Sequence, residues 1–408
     1  MSAPPLRRNR DFVLLQVGQG LSTLGSESTQ IAFPLLVLAL THSPAKAGIV
    51  GFARFFPYVL VALPAGVVVD RWNRRRLMLF CDATRAVGIG SLVAALAAGV
   101  ATFPQIVAVA FVDGALYTLF NIAETGALRA VVAAHQLPRA AATEQSRIAT
   151  VQLSAGPVGG ALFGLARSAP FLFDVVSYTF SFVSLLAIRT PFQEERQRAT
   201  TRARVEIAEG FRWLREQRFL WVMQLIAAAS NVVYEGLFLV LIVVARRQGL
   251  TSAEIGLVIA GLGAALLLGS LAAPIFQRRT SMRVITLLQV ATMLLVALFL
   301  AEPSVYVLLA AAVPSVFLAP PVASSVIGYR LAIAPDALVG RINSVARTIA
   351  IAGAPAGSLL GGFLLGAFSP RTTVAVLVAW TALIVLWGLL SPSLRESPNL
   401  ADLDALAA

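Results

Sequence analysis

Twelve runs of roughly twenty mostly apolar residues, separated by charged or proline-containing breaks, set the terms for this chain. A run of that length, coiled as a helix, spans the roughly 30 Å of hydrocarbon in a bilayer. Inside hydrocarbon every backbone N–H and C=O must find its partner within the protein, and continuous apolar runs meet that demand as helices. The runs lie near 12–40, 47–69, 77–100, 104–128, 146–166 and 170–189, then near 219–245, 254–276, 284–301, 304–329, 342–367 and 372–391. Charged residues make up only 13% of the 408, about half the share of a soluble domain, so a soluble globular fold is excluded.

The runs divide evenly about a polar interval. Residues 190–218 hold Glu194, Glu195, Arg196, Arg198, Arg202 and Arg204 followed by an amphipathic stretch from Val205 to Phe219, which reads as a cytoplasmic linker carrying a surface helix. The expected organisation is an N-terminal six-helix half at 1–189, this linker, a C-terminal half at 219–391 and a cytoplasmic tail at 392–408.

Formal net charge is +12, which in a soluble protein would suggest nucleic acid. Placement gives a different answer. With the N-terminus inside, only Lys46, Arg167, Arg246, Arg247 and Arg371 fall in outer loops and Arg54 and Arg85 inside runs, while the other basic residues border the cytoplasmic segments. Basic residues are retained on the cytoplasmic side of membrane proteins, so both termini are expected there and no nucleic-acid partner is expected. The basic tail Met1 to Arg10 precedes a run too long for a signal-peptide core, so that run is read as a retained first span.

Several chemistries have no residues to support them. Cys81 is the single cysteine, and His42 and His135 form no metal motif, so neither an internal disulfide framework nor a metal or other cofactor is expected. The one lysine, Lys46, sits in Pro44-Ala45-Lys46-Ala47 rather than a glycine-rich phosphate loop, which excludes a P-loop for ATP. Neither HExxH nor a Ser nucleophile with a His base is found, so a membrane enzyme is not expected.

The halves repeat one another. A shift of 208 residues superposes Gln16, Thr23 and Glu27 on Gln224, Asn231 and Glu235, and the i, i+7, i+11 spacing places each trio on one helix face. Overlapping GxxxG steps recur at Gly156, Gly160 and Gly164 and at Gly353, Gly357 and Gly361. Parallel six-helix halves with a substrate site between them near the midplane are a known transporter plan.

After the second run the sequence reads Gly66-Val67-Val68-Val69-Asp70-Arg71-Trp72-Asn73-Arg74-Arg75-Arg76. This resembles the loop 2–3 signature of the major facilitator superfamily. The segment from Ala53 to Ala86, Leu119-Phe120-Asn121 and Phe173 to Tyr178 resemble most its macrolide-efflux and enterobactin-exporter branch. The resemblance implies twelve transmembrane helices and a cytoplasmic gate formed by Gly66, Asp70, Arg71, Arg74 and Arg75; the simpler reading is that the arginines only fix topology. The fifth run contains Gly156-Pro157-Val158-Gly159-Gly160-Ala161, similar to an exporter-associated element through Gly156, Pro157 and Gly160, with Ala161 in place of its last glycine. Close helix packing explains the glycines equally well.

Ionisable groups near the bilayer centre are costly and so suggest function. Glu27, Glu235 and Asp113 qualify by depth, and Arg54 is the nearest basic candidate, towards the outer side. Glu27, with Asp113 or Glu235, is expected to trade a proton for substrate, with Arg54 as counter-ion; the alternative is a static Glu27–Arg54 pair. Asp82, Arg85 and Asp174 are expected to be helix-end groups in contact with water. Gln16, Gln19, Thr23, Asn121 and Asn231 are the candidate cavity residues, and their scarcity favours hydrophobic or amphipathic cargo. The expected function is alternating-access export of a drug or secondary metabolite in exchange for protons, by a monomer in the cell membrane; a proton-coupled uptake carrier or a uniporter is the alternative.

Overall fold

The structure is a computed structural model that describes residues 5–192, 203–335 and 338–395, with the side chains of 62–71 and 203–206 excepted. Among the described residues there is no strand. Thirteen helices carry the architecture: α1 Arg10–Thr41, α2 Pro44–Arg71, α3 Arg74–Ala97, α4 Phe103–Val131, α5 Leu137–Leu165, α6 Ala169–Ala187, α7 Ala203–Glu216, α8 Arg218–Arg247, α9 Ser252–Arg279, α10 Met282–Ala301, α11 Val305–Ile333, α12 Val339–Ala367 and α13 Pro370–Leu390. Eleven helices among the described residues are long and apolar enough to cross a membrane.

Local chemistry sets the helix ends. Asn9 opens α1 by accepting a hydrogen bond from the Phe12 N–H at 3.1 Å, and Asn73 opens α3 by accepting from the Arg76 N–H at 3.1 Å. Pro104, Pro138, Pro170 and Pro370 lie in first turns, where a missing N–H costs nothing. α3 and α8 are followed by Gly99 and Gly249 at φ of 72° and 84°, a left-handed backbone that glycine adopts without strain.

Two expected boundaries moved. The fifth span begins near Leu137 rather than residue 146, because Arg139, Glu144 and Arg147 interrupt the apolar pattern without interrupting the helix. The amphipathic stretch ends at Glu216, and α8 follows almost at once at Arg218.

The chain packs as two compact units. Unit 1 comprises residues 1–42, 53–200 and 251–260, and unit 2 residues 43–52, 201–250 and 261–408. In unit 1, α1 packs on α5 and α6, and α3 on α4 and α6. A Cβ on Gly159 would come within 2.7 Å of the Ser28 carbonyl of α1, and one on Gly156 equally near the Gly256 carbonyl in the first turns of α9, so these glycines allow backbones to touch. In unit 2, α8 packs on α12 and α13, and α10 on α11. There Gly361 meets Gly236 of α8, and Gly362 meets Gly48 in the first turns of α2. Helix α7 docks on the start of α12, with Leu214 buried and Glu209 paired to Arg341 at 2.6 Å.

Candidate functional site

The polar centre of unit 1 is assembled from four helices. On α6, Asp174, Ser177, Tyr178 and Ser181 recur at spacings of three and four, so they share one face; Ser22, Ser26 and Thr29 do the same on α1. These faces are buried against each other and against α3 and α4, which bring Asp82 and Arg85, and Asp113.

Asp113 is the hub. Its Oδ1 accepts from Arg85 Nε at 2.9 Å and from the Tyr178 hydroxyl at 3.0 Å, and its Oδ2 lies 3.7 Å from Arg54 Nη1. The Arg85 guanidinium also donates to Ser26 Oγ at 3.1 Å and lies over the Tyr178 ring, 4.2 Å from its centre. Arg54 donates to the Ser26 carbonyl at 2.7 Å and to Thr29 Oγ1 at 3.4 Å, with Phe33 beneath it. Two guanidiniums beside one carboxylate compensate its charge, which is what a charge needs to persist in low dielectric, although Asp113 Oδ2 is held by the ion pair with Arg54 and by no hydrogen bond among the described residues.

The expected roles of several groups therefore change. Asp82, Arg85 and Asp174 are not wetted helix-end groups: Asp82 and Asp174 are 0% exposed and Arg85 is 2% exposed. Depth along a single helix misled here, because neighbouring helices cover these positions. Arg54 makes its ion pair with Asp113, not with Glu27, so a static Glu27–Arg54 pair is also set aside. Glu27 itself is half-buried and forms no hydrogen bond or ion pair with any described residue, although Arg54 and Asp113 are near enough to act on it electrostatically.

The expected cavity residues have diverse placements. Gln19 is buried and donates to Ser181 Oγ at 3.1 Å, which makes it part of the α1–α6 contact. Gln16 is half-buried with its Oε1 unpartnered. Thr23 donates to the Gln19 carbonyl at 2.7 Å and Asn121 to the Tyr117 carbonyl at 2.8 Å, both on their own helices. In unit 2, Asn231 joins α8 to α12 through the Ala350 carbonyl at 2.9 Å, and Glu235 is half-buried and engaged by its surroundings.

Of the expected gate, the side chains of Gly66, Asp70 and Arg71 lie outside the described residues, although α2 is helical through Arg71. The Arg74 guanidinium rests on Gly126 of α4, where a Cβ would approach it to 2.6 Å. Arg75 donates to the Leu186 carbonyl at 2.5 Å, at the C-terminal end of α6, where a cation is favoured. Gly156 and Gly160 meet the backbone of α9, and Pro157 lies within the α5 helix between them.

One pair escaped the sequence reading. Arg147 of α5 meets Glu124 of α4 at 2.8 Å, with Glu144 at 4.0 Å. The only hint was a lone acid in one apolar run and a lone base near another.

A helical membrane chain with a loop 2–3 signature and buried charges can now be set beside known proteins. The profile of the Major Facilitator Superfamily matches residues 15–313. The chain belongs to this superfamily. It is a multi-pass membrane transporter of small molecules, not an enzyme. It is 27% identical over 401 residues to the multidrug efflux pump Tap of Mycolicibacterium fortuitum, covering 91% of this chain and 93% of Tap. The Mycobacterium tuberculosis pump of the same name is 26% identical over 407 residues, covering 94% of each. Among solved structures, a bacterial homologue of the human lysosomal transporter Spinster superposes with a TM-score of 0.74 at 13% identity, covering 95% of this chain and 97% of the homologue. The nucleoside transporter NupG superposes with a TM-score of 0.69 at 14% identity, covering 95% and 100%. At those identities the structures bear on the fold alone.

Proposed function

We propose that this transporter exports a hydrophobic or amphipathic small molecule, a drug or secondary metabolite, in exchange for protons. The halves 1–189 and 219–391 alternate access about the 190–218 linker, with twelve spans, both termini cytoplasmic and the chain acting as a monomer. Full-length likeness to the Tap pumps supports the cargo class and direction. Basic residues crowded into alternate loops support the orientation. Gly156, Pro157 and Gly160 are kept as an export element, and Asp70 with Arg71, Arg74 and Arg75 as a cytoplasmic gate whose pairs, at the wet ends of helices, can break at low desolvation cost.

The observation that carries proton exchange is Glu27. It lies deep in α1, half-buried, with no hydrogen-bond or ion-pair partner among the described residues. A carboxyl so placed takes up or releases a proton without breaking a salt bridge, whereas Asp113 cannot do so until two guanidiniums are displaced. Glu27 is therefore the coupling acid, Asp113 and Arg54 hold its surroundings, and Glu235 occupies the matching position of the second repeat without carrying the pH response.

The test is transport of a panel of lipophilic dyes and antibiotics by the purified protein in vesicles, under pH gradients of either sign. Export predicts counterflow of protons and cargo that reverses with the gradient and is lost in Glu27→Gln with insertion unchanged. A uniporter would ignore the gradient, and an uptake carrier would move cargo with the protons; unchanged transport by Glu27→Gln sinks the assignment of that residue.

A further inference from the structure

Beside the Glu124–Arg147 pair, which balances itself, four acids and two arginines share the interior of unit 1 among the described residues: Glu27, Asp82, Asp113 and Asp174 against Arg54 and Arg85. Arginine is always protonated in proteins, so ionising every acid would leave two uncompensated negative charges where the membrane penalises charge most. The partners are not shared evenly. Asp113 takes both guanidiniums. Asp82 and Asp174, fully buried, form no ion pair and meet only hydroxyls.

Those hydroxyls constrain the protons. Thr29 Oγ1 lies 3.2 Å from Asp174 Oδ2, yet its single hydrogen has a nearer acceptor, the Ser26 carbonyl at 2.8 Å. Ser177 Oγ lies 3.3 Å from Asp174 Oδ1 and has the Asp174 carbonyl at 2.7 Å. With both hydrogens directed to the backbone, a protonated Asp174 can donate its single acid hydrogen to one of the two hydroxyl oxygens, whereas an ionised carboxylate would face a lone pair at each of its oxygens. Asp82 Oδ2 meets Ser181 Oγ at 2.6 Å, and its Oδ1 is buried with no hydrogen-bond partner among the described residues. An ionised carboxylate would leave that oxygen both charged and unsatisfied.

We propose that Asp82 and Asp174 are neutral acids in this conformation and hold two further exchangeable protons of the transport cycle. Their use in transport rests on the proton-exchange reading above. With both neutral, Arg54 and Arg85 face at most two carboxylates, Asp113 and, once it has released its proton, Glu27, so no negative charge is left uncompensated.

The groups facing each acid are consistent with this. Asp82 faces Cys81 and Arg85 on its own helix and Glu124 on α4, itself paired to Arg147 of α5. Asp174 faces Tyr178 on its own helix, Arg54 of α2, Arg85 of α3 and Asp113 of α4, with Glu27 next to them on α1. Both guanidiniums already sit on Asp113. The charged residues of α5, Arg139, Glu144 and Arg147, lie in its first turns, at the opposite end from the start of α6. Removing either proton leaves a carboxylate hydrogen-bonded to hydroxyls, with the nearby guanidiniums already bonded to Asp113, so proton loss favours a shift of α6 against α1 or α3. Protonation is thereby tied to helix movement.

The test needs no cargo. Infrared spectra of the purified full chain, with and without carbon-13 aspartate, report protonated aspartic acids through their C=O stretch. At neutral pH the proposal expects two such aspartate bands that shift in deuterated water, one lost in Asp174→Asn and the other in Asp82→Asn. Absence of any protonated aspartate band in the wild type overturns the proposal even if neither variant folds, and so does survival of both bands in both variants. In vesicles, each folded variant should still exchange cargo between faces while losing several-fold of its response to an imposed pH gradient. A full response in both would overturn the transport role. Failure of Glu27→Gln to alter transport would remove the proton-exchange reading but leave the spectral result standing.

Discussion

The two units place helices in similar roles and polar chemistry in very different ones. In unit 1 five charged residues, Asp82, Arg85, Asp113, Glu124 and Asp174, are buried: Arg85 binds Asp113, Asp82 and Asp174 meet hydroxyls of α6 and α1, and Glu124 pairs with Arg147 of α5. In unit 2 several inter-helix contacts are neutral hydrogen bonds: Tyr234 reaches the Ser315 carbonyl, Gln289 reaches Tyr234, Asn231 reaches Ala350, and the exposed Trp380 reaches Ala229. Arg330 is a buried cation there, and its Nε has no hydrogen-bond partner among the described residues. Glycine packing, by contrast, serves both units alike. The geometry that lets helices touch is common to both units, while the buried acids among the described residues, Asp82, Asp113, Glu124 and Asp174, all lie in unit 1. Neutral hydrogen bonds hold helices in place; a network of charges also responds to protons, so we locate the coupling chemistry in unit 1.

The largest break in that contrast is expected from Arg85→Ala. It strips Asp113 of its closest cation, and losing one partner of a buried pair costs about 3–5 kcal/mol. Gln289→Leu in unit 2 should cost about 1 kcal/mol, the worth of one neutral hydrogen bond. Thermal unfolding in detergent compares them, and equal losses would erase the distinction. Next, Gly160→Val and Gly361→Val should each cost about 1–3 kcal/mol through overpacking, one against α9 and the other against α8. Similar losses would confirm that packing is shared, and a large asymmetry would show that it is not. Within unit 1 a smaller effect than that of Arg85→Ala is expected from Tyr178→Phe, which removes a hydroxyl from Asp113 but leaves both arginines, at about 1–2 kcal/mol.

The sequence made the fold legible because a bilayer imposes its length on every span. Most helix ends fall within a few residues of where hydropathy breaks, and the exception, α5, starts early because its charged first turns are helical and Arg147 finds Glu124. The site was less legible. Glu27 could be singled out, since an acid so deep in an apolar run is conspicuous on its own helix. Asp82, Arg85 and Asp174 could not be placed, because their burial depends on α1, α4 and α6, tens to more than a hundred positions away in the chain. The serine and threonine spacing on α1 and α6 was the available signal: a hydroxyl stripe at helical period in an apolar run marks a face that must meet another polar face.

The central claim is that coupling acids reside in unit 1 and that Glu27 begins the exchange. It is tested most directly by comparing Glu27→Gln with Glu235→Gln in vesicles under an imposed pH gradient, with insertion and thermal stability checked for both. The account predicts that Glu27→Gln abolishes gradient-driven transport while Glu235→Gln keeps a pH response, even if its affinity for cargo falls. Loss of the pH response in Glu235→Gln with Glu27→Gln unaffected would contradict it.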